Sequence, residues 1–111
     1  MKGILTLVLL LFLLPTVVFA AQVYGSLKEG GRPVGRGCKV VVDCSGELYE
    51  RETDDYGSYS VYAARKGKCT LQVYYQGQWS SRFDIYSYDD PVRYDFDLVR
   101  DGNGQYFLRR K

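Results

Sequence analysis

The hydrophobic pattern of this chain has a period of two and is interrupted every few residues, and that restricts its regular structure to short β-strands. Val23, Gly25 and Leu27 fall on one face of a first segment, with Gln22, Tyr24 and Ser26 on the other. Cys38, Val40, Val42 and Cys44 share a face of a second segment, and Glu47 to Thr53 is polar on both faces, as an edge strand is. Tyr59, Val61 and Ala63 line a fourth. Cys69, Leu71, Val73 and Tyr75 line a fifth. Trp79, Ser81, Phe83 and Ile85 give a sixth, and Val92, Tyr94, Phe96 and Leu98 a seventh. Asp101-Gly102-Asn103-Gly104 is a hairpin signal leading into Tyr106 and Leu108. No window shows an apolar stripe at helical spacing, and 11 tyrosines suit strands better than helices. The expected fold is therefore all-β: an antiparallel sandwich of seven to eight strands.

Residues 1–20 stand apart from this pattern. Lys2 supplies a positive start, Ile4 to Leu14 an apolar run, Pro15 a helix stop and Ala20 a small residue before a cut. That order is the plan of a secretory signal peptide cleaved after Ala20, leaving residues 21–111 as one domain. Ile4 to Ala21 is nearly long enough for a retained anchor, but Pro15 and the small exit residue favour cleavage. The mature chain is then expected to be secreted or periplasmic, with no membrane association.

Charge and composition remove several function classes. The formal net charge is +2, too small for massed electrostatic binding of nucleic acid. The chain contains no histidine, which excludes Ser-His-Asp and Cys-His catalysis and histidine zinc sites. No phosphate-binding loop or nucleophile elbow is present, and Ser80 and Ser81 have no histidine base. The acidic residues Asp54, Asp55, Asp89 and Asp90 fall in turns, and Asp95 and Asp97 alternate outward along a strand, where solvation is the default. The chain is read as non-catalytic, with no cofactor and no metal.

Three segments together resemble a known family. They are Val23-Tyr24-Gly25 followed by Gly31-Arg32-Pro33-Val34-Gly35, then Thr53-Asp54-Asp55-Tyr56-Gly57-Ser58-Tyr59, then Gly67-Lys68-Cys69-Thr70-Leu71-Gln72-Val73. The pattern is similar to the carboxypeptidase regulatory-like domain, a transthyretin-like (prealbumin-like) Greek-key sandwich, over residues 22–99. In the Thr53–Tyr59 stretch Asp54 caps the turn, Gly57 takes positive φ and Tyr59 returns to the core. The resemblance implies an accessory or structural module and no particular activity. Hydroxyisourate hydrolase, a transthyretin relative, depends on histidines and a Tyr-Arg-Gly-Ser ending; this chain ends Leu108-Arg109-Arg110-Lys111. That activity is excluded. The single asparagine, Asn103, lies in an expected turn and makes a poor isopeptide partner.

Three cysteines behind an export signal suggest one disulfide and one spare thiol. Cys38 and Cys44 lie on one strand about 20 Å apart, beyond bridging distance. In antiparallel neighbours the end of one strand meets the start of the next, so Cys44 is expected to pair with Cys69. Cys38 is left as a buried free thiol acting as a small hydrophobe. Aromatic residues are the one feature in excess. Tyr24, Tyr62 and Tyr74 point away from the assigned core faces, and Trp79, Tyr86 and Tyr88 flank a loop-bounded strand. These six are the candidate binding residues for a protein or glycan partner. Beside a less favoured third reading, a hydrolase, which would need titratable groups clustered in a pocket, two readings follow: an exported binding or structural module, or a carbohydrate-binding module using the exposed rings. They differ in whether those rings form one contiguous patch.

Overall fold

The computed structural model describes residues 21–111; the expected leader, residues 1–20, lies outside the described residues. The described chain is all-β. Its strands are β1 (Ala21–Glu29), β2 (Arg32–Pro33), β3 (Lys39–Cys44), β4 (Glu47–Glu52), β5 (Ser58–Ala63), β6 (Gly67–Tyr75), β7 (Gln78–Trp79), β8 (Phe83–Ser87), β9 (Val92–Arg93), β10 (Phe96–Arg100) and β11 (Tyr106–Arg110). Eight of them span five residues or more; β2, β7 and β9 are two-residue pieces. The first sheet runs β11-β10-β1-β2, with β5 and β9 also paired to β1. The second runs β4-β3-β6-β7, with β8 also paired to β6. The polar strand β4 is an edge, as expected. Its Glu47, Glu50, Arg51 and Glu52 discourage further pairing. Among the described residues no helix is long and apolar enough to cross a membrane.

The alternation in the sequence becomes the sandwich core. Val23, Leu27, Val40, Val42, Val61, Leu71, Val73, Ile85 and Phe96 are each at most 1% exposed and meet between the sheets. Cys44 and Cys69 join this core as a disulfide, with their Cα atoms 4.4 Å apart. The antiparallel register Asp43↔Thr70, extended by one residue, sets these two cysteines directly opposite each other. The bridge closes 25 residues of chain, a constraint of about 3.5 kcal/mol on the unfolded state in the chain-entropy model. The Asp54 turn is also built as its residues demand. The Asp54 carboxylate accepts from the Tyr56 and Ser58 amides, both at 2.9 Å, and Gly57 has φ 72°. A Cβ on Gly57 would lie 2.7 Å from the Leu27 carbonyl oxygen, so side chains are excluded there by space as well as by φ.

Two expectations need correcting. First, the sandwich is not purely antiparallel: β1 runs parallel to β9 and to β10. The chain leaves β8 in the second sheet and crosses through Asp89-Asp90-Pro91 to the first. It arrives beside β1 by a crossover, and no tight hairpin dictates an antiparallel approach. Second, the sixth segment is two strands. Tyr74 pairs with Trp79 but Leu71 pairs with Phe83, so one extra residue is inserted opposite Gln72. This is a β-bulge at Ser80–Arg82. Ser80, not Trp79 or Ser81, faces inward: its amide donates to the Val73 carbonyl at 2.8 Å, and its hydroxyl accepts from the Val73 amide at 3.0 Å. Trp79 is thereby turned to the outer face.

The seventh segment is broken where β9 gives way to β10. The Tyr94 amide still donates to the Tyr24 carbonyl at 2.8 Å, but the Tyr94 carbonyl dips into the core across Gly25. A Cβ on Gly25 would collide with that carbonyl oxygen. Tyr59, directly opposite Gly25 on β5, donates its buried hydroxyl to the same oxygen at 2.6 Å. The next residue supplies the missing ladder partner: the Asp95 carboxylate accepts from the Ser26 amide at 2.9 Å and the Ser26 hydroxyl at 3.2 Å. Asp95 and Asp97 are thus not merely solvated. Asp95 also pairs with Arg93 at 2.8 Å, and Asp97 with Arg109 at 3.4 Å and Lys111 at 3.5 Å. Burial pushes the Asp95 carboxyl up, but the Ser26 amide and Arg93 outweigh it and hold the group below the usual carboxylate range.

Gly25→Ala is expected to destabilise the protein by at least about 2 kcal/mol, because the methyl group lands on backbone that cannot move without breaking the Tyr59 hydrogen bond. Gly102→Ala, in open space without positive φ, should stay within about 0.5 kcal/mol of the parent. Urea melts of the two variants test this; equal stability for both would contradict the close packing of Tyr94 over Gly25.

Candidate functional site

The outer face of the second sheet carries a groove. On the central strand β6, Lys68, Thr70, Gln72 and Tyr74 point outward, since Cys69, Leu71 and Val73 point into the core. The register sets Lys39 beside Tyr74, Val41 beside Gln72 and Asp43 beside Thr70. β4 adds Glu50 next to Val41 and Leu48 next to Asp43. Trp79 stands opposite Tyr74, and their ring centroids are 4.9 Å apart. Lys39, Val41, Asp43, Leu48, Glu50, Thr70, Gln72 and Trp79 line a groove of about 290 Å³, with Val41, Leu48 and Trp79 as its apolar part and Arg82 at its rim; Tyr74 flanks it beside Trp79. A second depression, sharing Asp43, Thr70 and Arg82, continues past Ser45 and Gly46 to Lys68. The two form one trough along β6.

The charges of the trough are paired. Lys39 lies 3.1 Å from Glu50, Lys68 lies 3.5 Å from Asp84, and Arg82 lies 3.9 Å from Asp43. Such exposed pairs contribute little stability. Their consequence is charge balance: three cations and three carboxylates leave the rim with no net charge.

The six candidate aromatics do not form one patch. Tyr74 and Trp79, 38% and 42% exposed, sit at one end of the trough. Tyr86 lies opposite Lys68 near the other end, and its ring stacks on that of Tyr88 with centroids 6.3 Å apart. Tyr24 and Tyr62 occupy the outer face of the other sheet, where Tyr24 is only half-buried and Tyr62 is exposed. Sequence reasoning missed Leu48, 67% exposed. The available signal was the one aliphatic residue of an edge strand whose other large apolar side chain, Tyr49, points to the opposite face.

The remaining expected residues serve structure. Cys38 is buried and unpaired; its thiol lies 3.4 Å from the Tyr74 carbonyl oxygen, and burial pushes its pKa up to about 12. Asp54 caps its turn, Asp55 pairs with Arg36 at 2.7 Å, and Asp89 pairs with Lys66. The turn carboxylates therefore do not converge. Among the described residues, no three acidic or cysteine side chains gather as a metal site would require.

No family profile matches the chain, and no curated protein is significantly similar to it. Among solved structures, a 9R-lipoxygenase from Cyanothece PCC8801 aligns with 88% of this chain at 13% identity and a TM-score of 0.39. The chain spans only 14% of that enzyme's length, and a likeness this distant carries no inference.

The buried thiol gives a direct check on the cysteine assignment. A thiol titrating near 12 is almost wholly protonated at pH 8 and is a poor nucleophile. The native protein should consume almost no thiol reagent at that pH, and the unreduced protein in denaturant should consume one equivalent, at Cys38. Non-reducing peptide mapping should return a Cys44–Cys69 pair; a Cys38–Cys69 peptide would contradict the strand register.

Proposed function

We propose that the chain is an exported, non-catalytic binding module on a transthyretin-like sandwich, resembling a carboxypeptidase regulatory-like domain. The observation that carries this reading is the trough on the second sheet: an open groove lined by exposed Trp79 and Leu48, flanked by Tyr74, with its charges paired. The chemistry of the Asp54–Tyr59 turn supports the family resemblance, and the Cys44–Cys69 bridge supports an oxidising, secreted or periplasmic destination. The carboxylates that depart from ordinary values argue against general acid catalysis. Glu47 is lowered by Tyr49 and Arg65, Asp55 by Arg36, and Asp95 by its Ser26 and Arg93 partners against the push of burial. A general acid near neutral pH needs the opposite shift.

Expression of the full chain followed by purification from the exported fraction tests the reading. The recovered protein should begin at Ala21 by intact mass. Immobilised, it should retain material from envelope extracts, and the Leu48→Glu, Trp79→Ala double variant should retain none. Hydrolase and oxidoreductase substrate panels should show no turnover. Turnover abolished by Asp43→Asn or Glu50→Gln would replace the binding module with an enzyme, and retention unaffected by the double variant would move binding away from the trough.

A further inference from the structure

We infer that the outer face along β6 takes a neutral, linear oligosaccharide, with Trp79 in the groove and Tyr86 just beyond it, opposite Lys68, as ring platforms at the two ends. The inference rests on the binding-module reading and names its ligand class. Tyr74 and Lys68 are six residues apart on β6, so the aromatic pairs beside them are separated by about 20 Å along the strand. Between the platforms the outward residues mix polar groups, Gln72, Thr70 and the Arg82–Asp43 pair, with the apolar Val41 and Leu48. An elongated ligand with apolar faces and many hydroxyls matches that order, because sugar C–H faces pack on aromatic rings and each hydroxyl both donates and accepts.

Two further observations argue against the competing polymers. β6 is hydrogen-bonded along both edges, to β3 on one side and to β7 and β8 on the other. No free backbone ladder is offered in the trough, so an extended peptide cannot add as a strand there and would have to be read by side chains alone. The cations Lys39, Lys68 and Arg82 each already face a carboxylate. An acidic glycan or nucleic acid would meet as many carboxylates as cations along the rim and would gain little of the counterion release that drives such binding.

Affinity electrophoresis of the exported full chain through gels containing soluble neutral polysaccharides (mixed-linkage β-glucan, xylan, galactomannan) tests this, with alginate and heparin as anionic counterparts. At least one neutral polymer should retard the protein, and added salt should leave the retardation unchanged. Trp79→Ala and Tyr86→Ala should each weaken binding about tenfold, the loss typical of truncating an aromatic anchor. Trp79→Phe should retain most of the affinity and Tyr62→Ala, on the other sheet, all of it. Melting curves verify that each variant is folded. Retardation only by the anionic gels, self-association that buries Trp79, or neutral binding indifferent to both platform variants would overturn the assignment. If no neutral polymer binds while envelope material is still retained through Leu48 and Trp79, the glycan is wrong and the binding module stands; if neither binds, both fall.

Discussion

The Tyr94 peptide crossing over Gly25 is the contact on which the rest of the sandwich depends. At that point one strand of the first sheet leaves the regular ladder, and its polar groups have to be satisfied inside a core. The Tyr59 hydroxyl takes the carbonyl, and the Asp95 carboxylate takes the Ser26 amide that the carbonyl abandoned. The Tyr94 ring then reaches the other sheet, where its hydroxyl accepts from the Tyr86 amide at 3.0 Å. Arg110 covers the outer side of that ring with its guanidinium 4.2 Å from the centroid. Residues from β1, β5, β8 and the C-terminal strand therefore converge on two consecutive positions, and a side chain at residue 25 would prevent it.

This arrangement leads to the candidate site through β8. Tyr94 fixes the Tyr86 backbone from the core side, so the Tyr86 ring is presented outward from an anchored strand. The Ser80 bulge does the same at the other end of the trough. Ser80 fills the inward position opposite Val73, the Ser81 amide donates to the Tyr106 carbonyl of the first sheet at 2.9 Å, and Trp79 is forced to the outside. Trp79 is thus presented next to irregular backbone, and Tyr86 by a regular strand anchored through Tyr94; both are held by contacts between sheets. Irregularities of this kind commonly re-aim side chains in β proteins.

The inward faces were readable from the chain alone, because burial enforces strict alternation and the alternation is local. The Cys44–Cys69 pairing was readable for the same reason, given adjacent antiparallel strands. The bulge was not: Trp79, Ser81, Phe83 and Ile85 alternate acceptably in the sequence, and only the Leu71↔Phe83 register reveals the inserted residue. Asp95 looked like an ordinary outward carboxylate because its partner, Ser26, is 69 residues away. The parallel entry of β9 and β10 was hidden for a similar reason, since a crossover between sheets leaves no turn signature. Of the site, Tyr74, Trp79 and Tyr86 were identifiable as exposed rings. That the first two form one end of a trough, that Leu48 and Val41 belong to it, and that Tyr24 and Tyr62 do not, depends on strand order and register.

Amide hydrogen exchange at Ser26 tests this architecture most directly. In the parent protein the Ser26 amide, paired with a side-chain carboxylate, should exchange as slowly as the neighbouring strand amides of β1. In Asp95→Ala that protection should be lost at Ser26 first and the sandwich should be less stable, and in the parent it should decline as acid protonates Asp95, because a carboxyl held low in the folded state stabilises above its unfolded pKa and ceases to do so below its folded one. A Ser26 amide that exchanges at the rate of an exposed loop in the parent, or that stays protected in Asp95→Ala, would contradict the account.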